Sequence, residues 1–232
     1  MLLPLALKSL IFSFLLFLAS NHWFVVVILV LAAFYFYFRP SLNGGKFILS
    51  FLVFLAVSFL AVRYLGSGSM VASLFFGSTF FLLLGVKNLI FVHRQHIYYF
   101  FNGFLFLAIF ILFFLSGSSG LFFIKYFLAF LAIAFLSKEF LCFSLPDSLS
   151  SSKKNLVAYG AAFLITQLLW GISLLPLSFL NAASLALLFA LILQDLFVHH
   201  FSGTMSRQII LRNITLFLIL GLVVLGASKW AL

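Results

Sequence analysis

Acidic residues are nearly missing from this 232-residue chain: it has three Asp and Glu against thirteen Lys and Arg. Charged residues of both signs make up only 7% of the chain, where a soluble domain carries about a quarter. There is one cysteine, Cys142, which excludes an intrachain disulfide and a metal site built on thiolates. There are only four prolines, and no stretch is long and polar enough to form a domain outside the apolar segments. Phosphate-binding loops, nucleophile elbows and haem-attachment motifs are also missing. No pattern therefore names a reaction, a substrate or a cofactor.

What fills the chain is apolar, at 66% of residues, with 36 phenylalanines. No water-soluble fold of this size can hide so much apolar surface. Lipid removes that demand but requires every backbone polar group to find a partner within its own segment or barrel. Barrel strands would alternate apolar and polar over about ten residues. The runs here are continuous over about 17–23 residues, which predicts helices. The phenylalanines read as lipid-compatible filler and are assigned no function.

Run length and turn chemistry predict an all-α transmembrane bundle of about nine spans forming a single membrane domain over residues 1–232. The expected spans are Leu3–Ala19, Trp23–Phe38, Phe47–Tyr64, Met70–Val92, Ile97–Leu115, Leu121–Phe143, Leu156–Leu175, Ser178–Val198 and Ile209–Ala227. Breaks fall at the Pro40–Gly45 stretch, at Gly66–Ser69, at Ser116–Gly120, at Pro146-Asp147 and at Pro176. The first segment also has the outline of a secretory signal, with Leu10–Leu18 as its apolar part and Ala19-Ser20 near a cleavage site. With only Lys8 ahead of it and Pro4 inside it, it is read as an uncleaved span.

With nine spans, Lys8, Arg39, Lys46, Lys87, Arg94, Lys138, Lys153, Lys154, Arg207 and Arg212 fall on one side. Arg63, Lys125 and Lys229 fall on the other. The positive-inside rule makes the first side cytoplasmic, with the N-terminus inside and the C-terminus external. This accounts for the net charge of +10 without nucleic acid as a partner. Trp23, Trp170 and Trp230, with all seven tyrosines, fall near expected span ends, as amphipathic rings do.

Small residues recur every fourth position at Ser69, Ser73 and Gly77, at Ala158, Ala162 and Thr166, and at Ala182, Ala186 and Ala190. Such stripes let helices approach closely in lipid and are read as packing faces rather than as the lining of a substrate path.

One group of residues could carry chemistry. His93 and His96 are expected to close the fourth span, and His199 and His200 the eighth. Asp195 and His199 stand four apart and share a helix face. Together with Glu139, these six side chains offer enough nitrogen and oxygen donors for zinc or iron at the cytoplasmic interface. The opposing reading treats the histidines as interface residues and lets Lys87, Arg94, Lys138 or Arg212 neutralise the two acids.

Two functions follow as expectations. The favoured one is a non-catalytic, transporter-like or accessory membrane subunit that binds lipid, including anionic headgroups on the cytoplasmic side, or a membrane-protein partner. The alternative is an enzyme acting on a lipid or lipid-linked substrate, with the six-residue cluster as its metal centre. The orientation is tested by reporter fusions. A reporter after Asn43 is expected to be cytoplasmic, and reporters after Ser118 and at the C-terminus external. The reverse pattern would overturn the assignment.

Overall fold

The computed structural model describes residues 2–19, 22–39, 47–65, 69–88, 90, 92–116, 122–145 and 150–227. Among these the chain is all-helical: nine α-helices and no strand. They are α1 (Leu2–Ala19), α2 (Trp23–Phe38), α3 (Ile48–Leu65), α4 (Ser69–Lys87), α5 (Arg94–Leu115), α6 (Phe122–Ser144), α7 (Ser151–Ser173), α8 (Phe179–Phe201) and α9 (Arg207–Ala227). The breaks expected at 40–45, 66–68, 117–120 and 146–147, and Trp230, lie outside the described residues.

Six helices, α4 to α9, are long and apolar enough to cross a bilayer, where run length predicts nine. This marks the chain as a membrane protein. The first three are apolar but shorter. The 16 residues of α2 rise about 24 Å at 1.5 Å each, short of a hydrocarbon core of about 30 Å.

The chain divides into two compact units, Met1–Leu105 and Phe106–Leu232, with α5 running through the division. In the first unit, α1 packs against α2, α3 and α4, and α3 packs on α4. The contact between α1 and α4 is built from small residues. Ser9, Ser13, Ser69, Ser73 and Gly77 are all buried. The Ser13 hydroxyl donates to the Ser73 carbonyl at 2.8 Å, and that of Ser73 to the Ser69 carbonyl at 2.6 Å. A Cβ on Gly77 would meet the Ser13 Cβ at 2.6 Å and the Ser9 carbonyl oxygen at 3.3 Å. Ser9 and Ser13 climb α1 as Gly77 and Ser73 descend α4, so the two helices run antiparallel in close contact.

Phenylalanine builds the rest of this core, in contrast to its reading as filler. Phe12, Phe54 and Phe80 are fully buried, with centroids 4.4, 5.6 and 5.9 Å apart. Phe54 also reaches Phe76 at 6.0 Å and Phe101 of α5 at 6.1 Å. Stacked and edge-on ring pairs stabilise beyond their buried area, which gives this face cohesion that lipid-facing rings lack. Tyr37 and Tyr98 lie at span ends as expected, yet both are fully buried. Tyr37 stacks on Phe51 at 4.3 Å, and Tyr98 meets Phe47 at 5.0 Å.

In the second unit, α6 packs on α7 and α8, α7 on α8, and α8 on α9. Ala158 and Ala162 on α7, and Ala182, Ala186 and Ala190 on α8, are buried, as their spacing predicts. α9 is the least enclosed candidate span, with 11% of its apolar window buried.

Lysine ammonium groups sit on the carbonyls that helix ends leave without partners. Lys8 of α1 donates to the Arg39 carbonyl just past α2 at 3.1 Å, and Lys87 of α4 donates to the Tyr37 carbonyl. Lys125 of α6 donates to the Ser116 carbonyl after α5 at 2.6 Å, and Lys154 of α7 to the Leu145 carbonyl after α6 at 3.5 Å. Lys87 and Lys125 also lie over aromatic rings, 4.1 Å from Tyr37 and 4.3 Å from Phe113.

The packing of α1 on α4 makes a paired prediction. Gly77→Ala forces the two helices apart, with a cost of about 1–3 kcal/mol. A Cβ on Gly160 of α7 would meet nothing within 4 Å, so Gly160→Ala gains helix propensity, up to about 1 kcal/mol. Thermal unfolding in detergent should move in opposite directions for the two variants. Equal shifts would refute the close approach.

Candidate functional site

Asp195, His199, His200, Arg207 and Arg212 lie on either side of the turn between α8 and α9. α8 ends at Phe201, and Gly203 takes a left-handed φ of +68° that lets the chain reverse. The backbone amide of Ile209, in the first turn of α9, meets the Ser206 hydroxyl at 3.4 Å. Asp195 and Asn213 are equally distant in sequence from residue 204. In an antiparallel helical hairpin they therefore stand at the same height.

The Asp195 carboxylate uses that position fully. Its Oδ2 accepts from Asn213 Nδ2 at 2.8 Å and from Arg212 Nη2 at 3.0 Å. His199, one turn further along α8, places Nδ1 3.6 Å from Oδ1 and 3.1 Å from the Asp195 carbonyl oxygen. Asn213 is buried, while the Arg212 side chain is 56% exposed. The contact with buried Asn213 therefore contributes more to holding the helices than the screened ion pair does. The i, i+4 relation of Asp195 and His199 was legible in the sequence. Arg212 was among the cations expected to neutralise an acid, but Asn213 was not connected to Asp195. Symmetry about the turn was the signal that would have joined them.

The other candidates are placed as follows. Glu139 is buried on α6. His200 is exposed and meets the Phe201 ring edge-on at 5.1 Å. In the first unit, His93 and His96 are both exposed, with centroids 6.2 Å apart. They do not close the fourth span as expected. α4 stops at Lys87, His93 lies in the turn that follows, and His96 is in the first turn of α5. The polar pair Lys87-Asn88 stands inside the expected run, and the helix ends there, earlier than the apolar residues up to Val92 suggest. Among the described residues, neither unit gathers three His, Cys, Asp or Glu side chains into a group able to hold a metal ion.

A groove of about 250 Å³ opens between α6 and α7 and is lined by Tyr126, Phe130, Phe163, Thr166, Gln167 and Trp170. Its walls are largely aromatic, and Thr166, Gln167 and the Tyr126 hydroxyl are among its polar side groups. Tyr126 faces the Ser173 hydroxyl at 3.3 Å.

No family model, no curated protein and no solved structure matches this chain. Its chemistry therefore rests on its own geometry. The Asp195 carboxylate is occupied by donors from α9, an arrangement that joins two helices.

A double-mutant cycle on Asp195→Asn and Asn213→Ala measures that joint. The expected coupling is about 0.6–1.7 kcal/mol, the range for hydrogen bonds between membrane helices. Arg212→Ala should cost less than Asn213→Ala. A coupling of zero would mean that the carboxylate does not hold α9.

Proposed function

We propose that this chain is a non-catalytic subunit of the cell's inner or plasma membrane, transporter-like or accessory, that binds lipid or a membrane-protein partner. The observation that carries this reading is that Asp195 and four of the lysines are engaged in structural contacts between helices. Asp195 is taken up by Arg212 and Asn213. Lys8, Lys87, Lys125 and Lys154 lie on helix-end carbonyls. A reacting centre needs groups aimed at a substrate position instead.

The same reading takes all nine helices across the bilayer, N-terminus cytoplasmic and C-terminus external. α1 lies antiparallel along α4, which is itself long enough to span. That favours a crossing over a helix lying on the membrane surface. Local thinning of the bilayer and snorkelling of flanking side chains accommodate helices a few ångströms short. The gathering of Lys8, Arg39 and Lys87 at one end of the first unit fits the cytoplasmic side.

The alternative is a membrane enzyme that acts on a lipid or lipid-linked substrate. Its metal ligands would be drawn from His93, His96, Glu139, Asp195, His199 and His200, and the closeness of His199 to Asp195 favours it. A bound metal would supply an activated water. Elemental analysis of purified wild type, His199→Ala and Asp195→Ala separates the two functions. The non-catalytic reading expects sub-stoichiometric metal in all three. Stoichiometric metal in the wild type, lost in both variants, would overturn it.

A further inference from the structure

We propose that the end of the first unit where α1, α2 and α4 meet is a binding site for a phosphate group, held by Lys8, Arg39 and Lys87. The shared chemistry is a phosphomonoester or phosphodiester, from a lipid headgroup or a soluble phosphate compound. The proposal deepens the lipid-binding half of the reading above, and rests on that reading in placing this end at the membrane surface.

Three cations converge there. Lys8 and Lys87 come from different helices, yet their ammonium groups donate to carbonyls only two residues apart, Arg39 and Tyr37. Two residues of chain separate their α-carbons by at most about 7–8 Å. Arg39 itself follows directly, with its guanidinium carbon 5.2 Å from the Tyr35 ring centroid and its side chain on the exposed surface. Lys8 lies close enough to both Arg39 and Lys87 for direct Coulomb repulsion.

Nothing within the first unit balances these charges. The chain's acidic side chains are Glu139, Asp147 and Asp195, and all three lie beyond residue 105. The C-terminal carbonyls of α2 supply only the partial negative charge of a helix end. Among the described residues each ammonium donates to one carbonyl, which leaves it further N–H donors that, with the planar fork of Arg39, can meet phosphate oxygens. A basic cluster whose own unit carries no carboxylate side chain attracts a multiply charged anion, and phosphate is the anion of membrane surfaces.

The rival explanation is that the two lysines only cap α2. Arg39 separates the two, because Lys8 binds its backbone carbonyl and not its side chain. Arg39→Gln therefore leaves both caps in place. The full chain is reconstituted in phosphatidylcholine nanodiscs, alone or with 10 mol% phosphatidic acid, and binding is followed by native mass spectrometry and thermal shift. Inorganic phosphate is titrated separately. Arg63→Gln, at the far end of α3, serves as the charge control.

Wild type should retain phosphatidic acid preferentially. Arg39→Gln should weaken this about fivefold, the share of one basic residue near a membrane surface, with its melting in phosphatidylcholine alone unchanged. Lys8→Gln and Lys87→Gln should weaken binding similarly where they fold. Stabilisation by inorganic phosphate that competes with phosphatidic acid would assign the site to soluble phosphate compounds, and binding of the lipid alone to a headgroup. Equal losses in Arg63→Gln and Arg39→Gln, or no preference over phosphatidylcholine, would overturn the site. Either result would leave the partner-binding half of the proposed function standing.

Discussion

A helix end leaves its last carbonyls without hydrogen-bond partners within the helix. In this protein the donors come from lysines on other helices. The C-terminus of α2 receives Lys8 and Lys87, that of α5 receives Lys125, and that of α6 receives Lys154. Each contact satisfies a carbonyl, places a cation at the negative end of a helix dipole, and fixes the height of one helix against its neighbour. These basic residues thus register the helices against one another. The same economy gathers Lys8, Lys87 and Arg39 at one point in a unit whose own sequence carries no carboxylate side chain.

The second unit meets the constraint differently. Between α8 and α9 a carboxylate and its donors take the place of a lysine cap, with Asp195 at the centre. Such a contact is worth little when solvated but is retained in a membrane, where the buried amide of Asn213 has few other acceptors. α9 has little else to hold it, since most of its surface is open. The chemistry available at this joint is consistent with a part in assembly.

Much of the fold was legible in the sequence. Apolar run length located all nine helices, and the fourfold spacing of small residues located the faces where α1 meets α4 and where α7 and α8 are buried. The physics behind both signals is local and periodic, so one chain suffices to see it. The boundary after Lys87 was misplaced because Lys87-Asn88 interrupts the apolar run for only two residues before Leu89–Val92 resume it. The phenylalanine core was missed for a different reason. A ring that faces lipid and one that stacks on Phe54 have the same hydropathy, and only three-dimensional packing distinguishes them. The candidate site was legible where it lay within one helix, as for Asp195 and His199, and illegible where it crossed a turn, as for Asn213.

The contact between Ser13 and Ser73 spans 60 residues of sequence. It has a consequence for biosynthesis. α1 leaves the ribosome first, yet its closest neighbour, α4, is not yet made. At about 5–20 residues per second, the interval is on the order of 3–12 s. During that time α2 is the first partner within reach, and the serine face of α1 has no groove to enter. Emergence of α4 then completes the packing around α1, with Gly77 admitting the serines. Slowing the ribosome between residues 20 and 69 would lengthen the exposure of that polar face.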